Sequence, residues 1–437
     1  MSKKQPCQKL LITHGRVINP ATGMNRIADV LIEDGTVRRV APRIRASRKG
    51  MRILNARNKW VIPGVIDMHV HLREPGREDQ ETIHTGTRAA ALSGTTQVVC
   101  MANTQPPVDN ISEIIFILSK AASEGMVKVR PVGAITKELK GKELAEIGIM
   151  AANGAVAISD DGFGIMDAGL FKKVMAYSKE FNILIIDHAE DHSISKGGVM
   201  NHGLTAHVMG LKGIPRQAEY AMVFRDISLA EQTGARLHLA HVSTAESVHI
   251  IRQAKLRGVK ITAETCPHYF SLTEEAVKDY NTNAKVNPPL RTARDIAAII
   301  EGLQDGTIDV IASDHAPHTY AEKAQEFDRA PCGMIGIETL LPLTITQLVK
   351  RKKLTPLKAV TKLTTGPAGA LGFSRYGIIP GAAADLAIID PDEERVFDHS
   401  ASKSRNSPFL GWKLSGFASA TIIDGRIVME RGRLVLP

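Results

Sequence analysis

The chain has 437 residues, of which 43% are hydrophobic and 23% charged, a balance that excludes a disordered chain and allows a large buried core. Its formal charge is +9, and eleven Lys and Arg against three acids in the first fifty residues account for +8 of it. No apolar run approaches the roughly 18 residues of a membrane span, and the four cysteines, Cys7, Cys100, Cys266 and Cys332, form no Cys-x-x-Cys pair, which argues against a thiolate zinc site and a disulfide framework.

The basic N-terminal segment lacks the interleaved aromatics of a nucleic-acid surface, so it reads as a solvated face and no nucleic-acid partner is expected. No apolar core with a small-residue cleavage site follows the basic start, and separated thiols suit a reducing compartment, so a cytoplasmic protein without membrane attachment is expected. Residues 9–13, 17–19, 29–33 before Asp34-Gly35, 37–40 and 52–54 read as short strands separated by turns.

From residue 60 the pattern changes to apolar strands alternating with helical stretches. Strands are predicted at 60–66, 96–101, 127–135, 155–159, 183–186, 235–239, 259–263 and 308–312. Helices are predicted at 81–92, 111–124, 168–182, 215–233, 245–257 and 293–304. Short strands return at 386–389, 419–423 before Asp424-Gly425, 426–429 before Arg431-Gly432, and 433–436. The class is α/β: a (β/α)₈ TIM-like barrel over 61–372, with 1–60 and 373–437 too short to bury a core alone and therefore joining as one smaller discontinuous β-sheet domain.

In such a barrel the chemistry sits at the carboxyl ends of the strands. Strand one ends in His69-Val70-His71, whose i, i+2 spacing puts both imidazoles on one face. Asn103 follows strand two, Asp160-Asp161 strand four, His188 strand five and His241 strand six. Strand seven leads to Asn287, and strand eight ends in Asp314-His315 with His318 close behind. A lone His-x-His is a weak signal, but six of the fifteen histidines, His69, His71, His188, His241, His315 and His318, fall at one predicted rim, and that points to a metal site. Four imidazoles and two carboxylates shared between two cations suit Zn²⁺ best, with a coordination position left for water. Asp160 and Asp161 are adjacent on a strand and face opposite ways, so only one of them can join the metals.

These motifs, His69-Val70-His71-Leu72-Arg73-Glu74-Pro75-Gly76, Ser159-Asp160-Asp161-Gly162, Asn287-Pro288-Pro289-Leu290-Arg291 and Ser313-Asp314-His315-Ala316-Pro317-His318, resemble those of class I dihydroorotases of the amidohydrolase superfamily. The resemblance runs over essentially the whole chain, to Gly411-Trp412. It implies that His69, His71 and Asp314 hold one metal, His188 and His241 a second, and Asp161 both, leaving Asp160 as a loop hydrogen-bonder. One or two Zn²⁺ ions per subunit are implied.

Arg73, Asn103, Asn287 and His318 match the substrate-binding residues, and the backbone at Cys332-Gly333 a further contact. The family's Met-Pro-Asn-Thr reads Met101-Ala102-Asn103-Thr104 here, which removes no functional group. Hydantoinases and allantoinases, on similar barrels, usually carry a carboxylated lysine as bridge, and no lysine lies between Lys142 and Lys172. Non-catalytic dihydroorotase-like proteins usually lack several metal ligands, whereas all six positions are present here.

The implied reaction is the reversible hydrolysis of L-dihydroorotate to N-carbamoyl-L-aspartate in de novo pyrimidine (UMP) synthesis. Asp314 is the expected proton carrier and Arg73 the expected anchor for the ring carboxylate. The resemblance also implies a homodimer and admits association with aspartate transcarbamoylase. The polar segment 319–331 reads either as a lid that excludes water or as a solvated loop.

Overall fold

Eight parallel strands form the centre of the computed structural model, which describes residues 9–45 and 50–435. Cys7, the basic residues Lys3, Lys4, Arg48 and Lys49, and the end of the predicted strand at 436 lie outside the described residues. The strands are Val65–Val70, Thr95–Cys100, Lys128–Gly133, Ala157–Ile158, Leu184–Asp187, Leu237–Leu239, Ile261–Thr265 and Val310–Ile311, adjacent in that order. The sheet curls until its edges meet: Val70 forms a parallel bridge with His315, and the His71 amide donates to the His315 carbonyl at 2.8 Å. The structure is thus the (β/α)₈-like barrel expected from the alternation of strands and helices.

The crossovers contain the helices Ile83–Leu92, Ile111–Glu124, Ala168–Ser178, Gln217–Thr233, Ala245–Leu256 and Ala293–Asp305. Thr82, Asn110, Asp167 and Thr244 stand just before four of them and accept first-turn backbone N–H groups on their side chains. Each such cap contributes about 1 kcal/mol and sets where the crossover begins. Ile66, Met68, Val99, Met101, Val132, Leu184, Ile186 and Val310, drawn from five of the barrel strands and the residue after one of them, pack with Ala368 and Leu371 in one buried cluster.

Both ends of the chain build a second, nine-stranded sheet. Its path runs Arg433–Leu434, Arg426–Glu430, Trp412–Ile423, Leu386–Phe397, Trp60–Pro63, Lys9–Asn19, Met24–Glu33, Thr36–Ala41, with Met51–Asn55 also paired to Lys9–Asn19. Leu10, Ile12, Val17, Val30 and Ile32 from one end pack with Ile388, Ile422 and Ile427 from the other. Three hairpins turn on Asp34-Gly35, Asp424-Gly425 and Arg431-Gly432, every one of these residues having positive φ. Two consecutive positive φ values are what a type I′ turn requires and match the twist of the strands it joins.

The sequence places 60–66 in the first barrel strand, whereas the structure divides it. Trp60–Pro63 belongs to the terminal sheet, with Leu386 opposite Pro63, and the barrel strand starts at Val65. Gly64 carries the chain between the two sheets so close to Thr96 that a Cβ there would meet its Oγ1 at 2.0 Å. Residues 60–66 are all buried, so hydrophobic patterning holds no sign of the change. Among the described residues no helix is long and apolar enough to cross a membrane.

Candidate active site

His69 lies within the first barrel strand and His71 immediately past its end. Asn103, Asp161, His188, His241 and Asp314 follow the ends of the second, fourth, fifth, sixth and eighth strands. All seven line or adjoin one cavity of about 290 Å³, except that His69 sits behind it, fully buried. Three of the cavity residues other than glycine, Arg73, His241 and Asp314, have left-handed backbone, with φ of 61°, 32° and 48°. Such conformations cost of order 1 kcal/mol or more each and persist where surrounding structure imposes them, commonly at functional sites.

Two groups of donors meet at Asp161. His69, His71 and Asp161 form one and Asp161, His188 and His241 the other, with the donor atoms of each within 4.8 Å of one another. Asp161 Oδ1 is 3.4 Å from His69 Nε2 and 3.4 Å from His241 Nε2, and its Oδ2 is 3.6 Å from His71 Nε2. Asp314 Oδ1 lies 3.4 Å from His71 Nε2 and 3.7 Å from His69 Nε2. Asp160 points elsewhere, accepting the Ile135 and Thr136 amides at 2.8 and 3.0 Å and the Thr136 hydroxyl.

The donor set fits divalent cations. His69 Nε2 is buried with no hydrogen-bond partner while aimed between Asp161 and Asp314, and imidazole and carboxylate are the ligands of catalytic zinc. The far nitrogens of three histidines rest on oxygen acceptors. His69 Nδ1 is 2.7 Å from Glu264, His71 Nδ1 2.8 Å from Asn103 Oδ1, and His188 Nε2 2.8 Å from Glu190. Each such contact orients its ring and turns the other nitrogen toward the cluster.

The electrostatics call for positive charge. Burial opposes ionisation of Asp314, but the hydrogen bond with His71 and the charges of His69 and His241 outweigh it and hold the carboxyl well below its ordinary range. Burial likewise opposes charge on His188, yet Asp161 and Glu190 lift its pKa to about 10. Burial lowers Arg73 to about 10, still a cation at neutral pH. His318 is pushed down to about 3 by burial and then by Arg73, so it is neutral there.

Of the remaining predicted residues, Arg73, Asn287, His318, Cys332 and Gly333 also line the cavity. Arg73 Nε donates to the Pro317 carbonyl at 3.2 Å, and His318 Nε2 to the Cys332 carbonyl at 2.8 Å. Asn287 Nδ2 donates to Glu190 at 2.7 Å, and its Oδ1 is buried without a partner. Gly333 has φ of 131°, and a Cβ there would meet the Ala316 Cβ at 2.7 Å, so this close approach needs glycine. His315, counted with the rim histidines, turns away: its Nε2 is 3.2 Å from Glu81 and its Nδ1 accepts the Gly336 amide at 3.1 Å.

Segment 319–331 is tied down. Lys285 Nζ donates to the carbonyls of Phe327, Asp328 and Ala330 at 2.6, 3.1 and 2.7 Å, and Lys323 Nζ to those of Pro331 and Gly333 at 2.9 and 3.0 Å. Sequence reasoning missed Glu264 and Glu190. A carboxylate inside the otherwise uncharged and largely buried strand Ile261–Thr265 is a usable signal for Glu264, whereas nothing local marks Glu190.

The Dihydro-orotase-like family profile matches residues 58–247, and the Amidohydrolase family profile matches residues 291–429. A dihydroorotase from Pelotomaculum thermopropionicum is 53% identical over 424 residues, covering 97% of this chain and 99% of its own. One from Acetivibrio thermocellus is 51% identical, covering 96% and 99%. Among solved structures, the L-hydantoinase (dihydropyrimidinase) from Arthrobacter aurescens matches with a TM-score of 0.87 at 25% identity, covering 98% of this chain and 97% of that one. Sequence identity over nearly the full length and the donor cluster at the barrel rim agree, and the chain belongs to the dihydroorotase-like amidohydrolases.

Proposed function

We propose that this protein is a dihydroorotase, catalysing the reversible hydrolysis of the cyclic amide of L-dihydroorotate to N-carbamoyl-L-aspartate, with ring closure the direction used in pyrimidine synthesis. One observation carries the reading: a paired His/Asp cluster shares its cavity with Arg73, the only guanidinium among the described residues that line it. A cyclic amide bearing a carboxylate has a group for each. The names of the curated relatives point the same way.

Zinc is the proposed metal; His69, His71 and Asp314 would hold one ion and His188 and His241 a second, with Asp161 a donor in both groups. When bound, it would polarise the amide carbonyl and bring the pKa of water to about 7. Asp314 is ionised and faces the cluster, so its carboxylate accepts the proton of the attacking water and returns it to the departing ring nitrogen. Ring closure uses the same carboxyl in reverse order. Arg73 binds the ring carboxylate, its fork matching two oxygens as an ammonium does not. Asn103 and the neutral His318 flank it. The free Oδ1 of Asn287 accepts a ring N–H. Both backbone groups of Gly333 are already engaged, the N–H with the Lys285 carbonyl and the C=O with Lys323 and Asn406, so the backbone contact falls to the Cys332 N–H.

The likeness to a hydantoinase favours a second reading, a ring ureide without a carboxylate. Against it stand Arg73 and a fourth strand without a nearby lysine. Side-by-side assays on dihydroorotate, hydantoin and allantoin with added zinc separate the two. Dihydroorotate is expected to turn over fastest, and preference for hydantoin or allantoin would refute the proposal.

A further inference from the structure

We propose that Glu264 and His238 are positioning residues that prepare His69 to bind metal. The inference rests on the reading of the His/Asp cluster as a metal centre. Glu264 lies within the seventh barrel strand and His238 within the sixth, and both are fully buried. One Glu264 oxygen is 2.7 Å from His69 Nδ1 and the other 3.1 Å from His238 Nε2. His238 Nδ1 is 2.7 Å from the Thr262 hydroxyl. A chain of four side chains, from the sixth and seventh strands and across the barrel to the first, therefore ends on one imidazole.

A carboxylate only accepts hydrogen bonds, so Glu264 requires hydrogen on His69 Nδ1 and leaves Nε2 as a bare lone pair. That Nε2 is the buried, unpartnered atom directed at Asp161 and Asp314. His238 occupies the second Glu264 oxygen and keeps the carboxylate from turning off His69. The backing differs around the cluster: His71 rests on the neutral amide of Asn103, His188 on Glu190, and His241 Nδ1 on no hydrogen-bond partner. An anionic partner makes the opposite ring nitrogen a stronger donor. Glu264 thus acts on the position shared by His69 and His71, and Glu190 on the position shared by His188 and His241.

The test is Zn²⁺ titration of the full chain against a chromophoric chelator, with Co²⁺ d–d spectra in parallel, for wild type, Glu264→Gln, His238→Asn and Glu190→Gln. The expected result is that Glu264→Gln weakens one equivalent by about 10- to 100-fold and shifts its Co²⁺ band, while the other stays within about twofold. His238→Asn weakens the same equivalent by less, and Glu190→Gln weakens the other. Unchanged affinity in Glu264→Gln, or an equal loss at both equivalents, overturns the proposal. Should Glu264→Gln not fold, unchanged affinity in His238→Asn does so. Wild-type protein that binds no metal would instead refute the metal reading itself.

Discussion

His188 Nδ1 and His241 Nε2 face each other at 2.9 Å in a buried space beside Asp161. Two imidazole nitrogens so placed cannot both present lone pairs unless a cation lies between them and the acid. Chelator treatment is therefore expected to abolish turnover and lower the melting temperature, because a ligand bound only by the folded state stabilises it. Added Zn²⁺ should restore both. A chelated, metal-free preparation at full activity would contradict this.

Asp314→Asn should lower kcat by about 10²- to 10⁴-fold, the usual contribution of a positioned acid–base group. The fold should survive, because Asn adopts the left-handed backbone that position 314 requires as readily as Asp does. Steady-state kinetics, circular dichroism and metal analysis together check this. Substantial activity in a metal-loaded variant would remove Asp314 from the role of proton carrier.

Arg73→Lys is expected to raise KM for dihydroorotate by about 10- to 100-fold, the loss of one charge-assisted contact of about 1.5–3 kcal/mol. Burial that brings the guanidinium down to about 10 would push an ammonium further towards neutrality, so the variant loses charge as well as the fork. An unchanged KM would mean that another group holds the ring carboxylate.

Lys362 offers a test of the scaffold remote from the cavity. It is buried in the helix Pro356–Leu363 with its Nζ on the Ile308 carbonyl, and burial lowers its pKa from 10.5 to about 8. Between these values the unfolded chain keeps a proton that the folded chain has released, so this group's contribution to stability rises with pH across the window. The stability of wild type relative to Lys362→Met should be flat below about pH 8 and climb towards 10.5, by on the order of 1–3 kcal/mol in all. Urea unfolding at several pH values measures it, and a constant difference would contradict the assignment.

The barrel was legible because crossover helices and apolar strands have different periods, and the terminal hairpins because Asp-Gly pairs mark type I′ turns. The residues that face the cavity were legible because metal and carboxylate chemistry draws on few side-chain types, and a strand end confines where they stand. Gly64 was not, because residues on either side of it are equally buried and the change of sheet leaves no polar mark. Strand-end position alone groups His315 with the rim, and only the tertiary contacts with Glu81 and Gly336 show its ring turned away. Glu264 and Glu190 act through other side chains, from strands or loops whose meeting with His69 and His188 depends on barrel closure and local packing rather than on spacing.

The most direct test of the account is the rate at which zinc-loaded protein hydrolyses L-dihydroorotate, measured beside hydantoin and allantoin and repeated after chelation. The account predicts zinc-dependent hydrolysis of dihydroorotate in clear preference to either ureide. Failure to hydrolyse dihydroorotate with both metal equivalents bound, or faster turnover of a ring without a carboxylate, would contradict it.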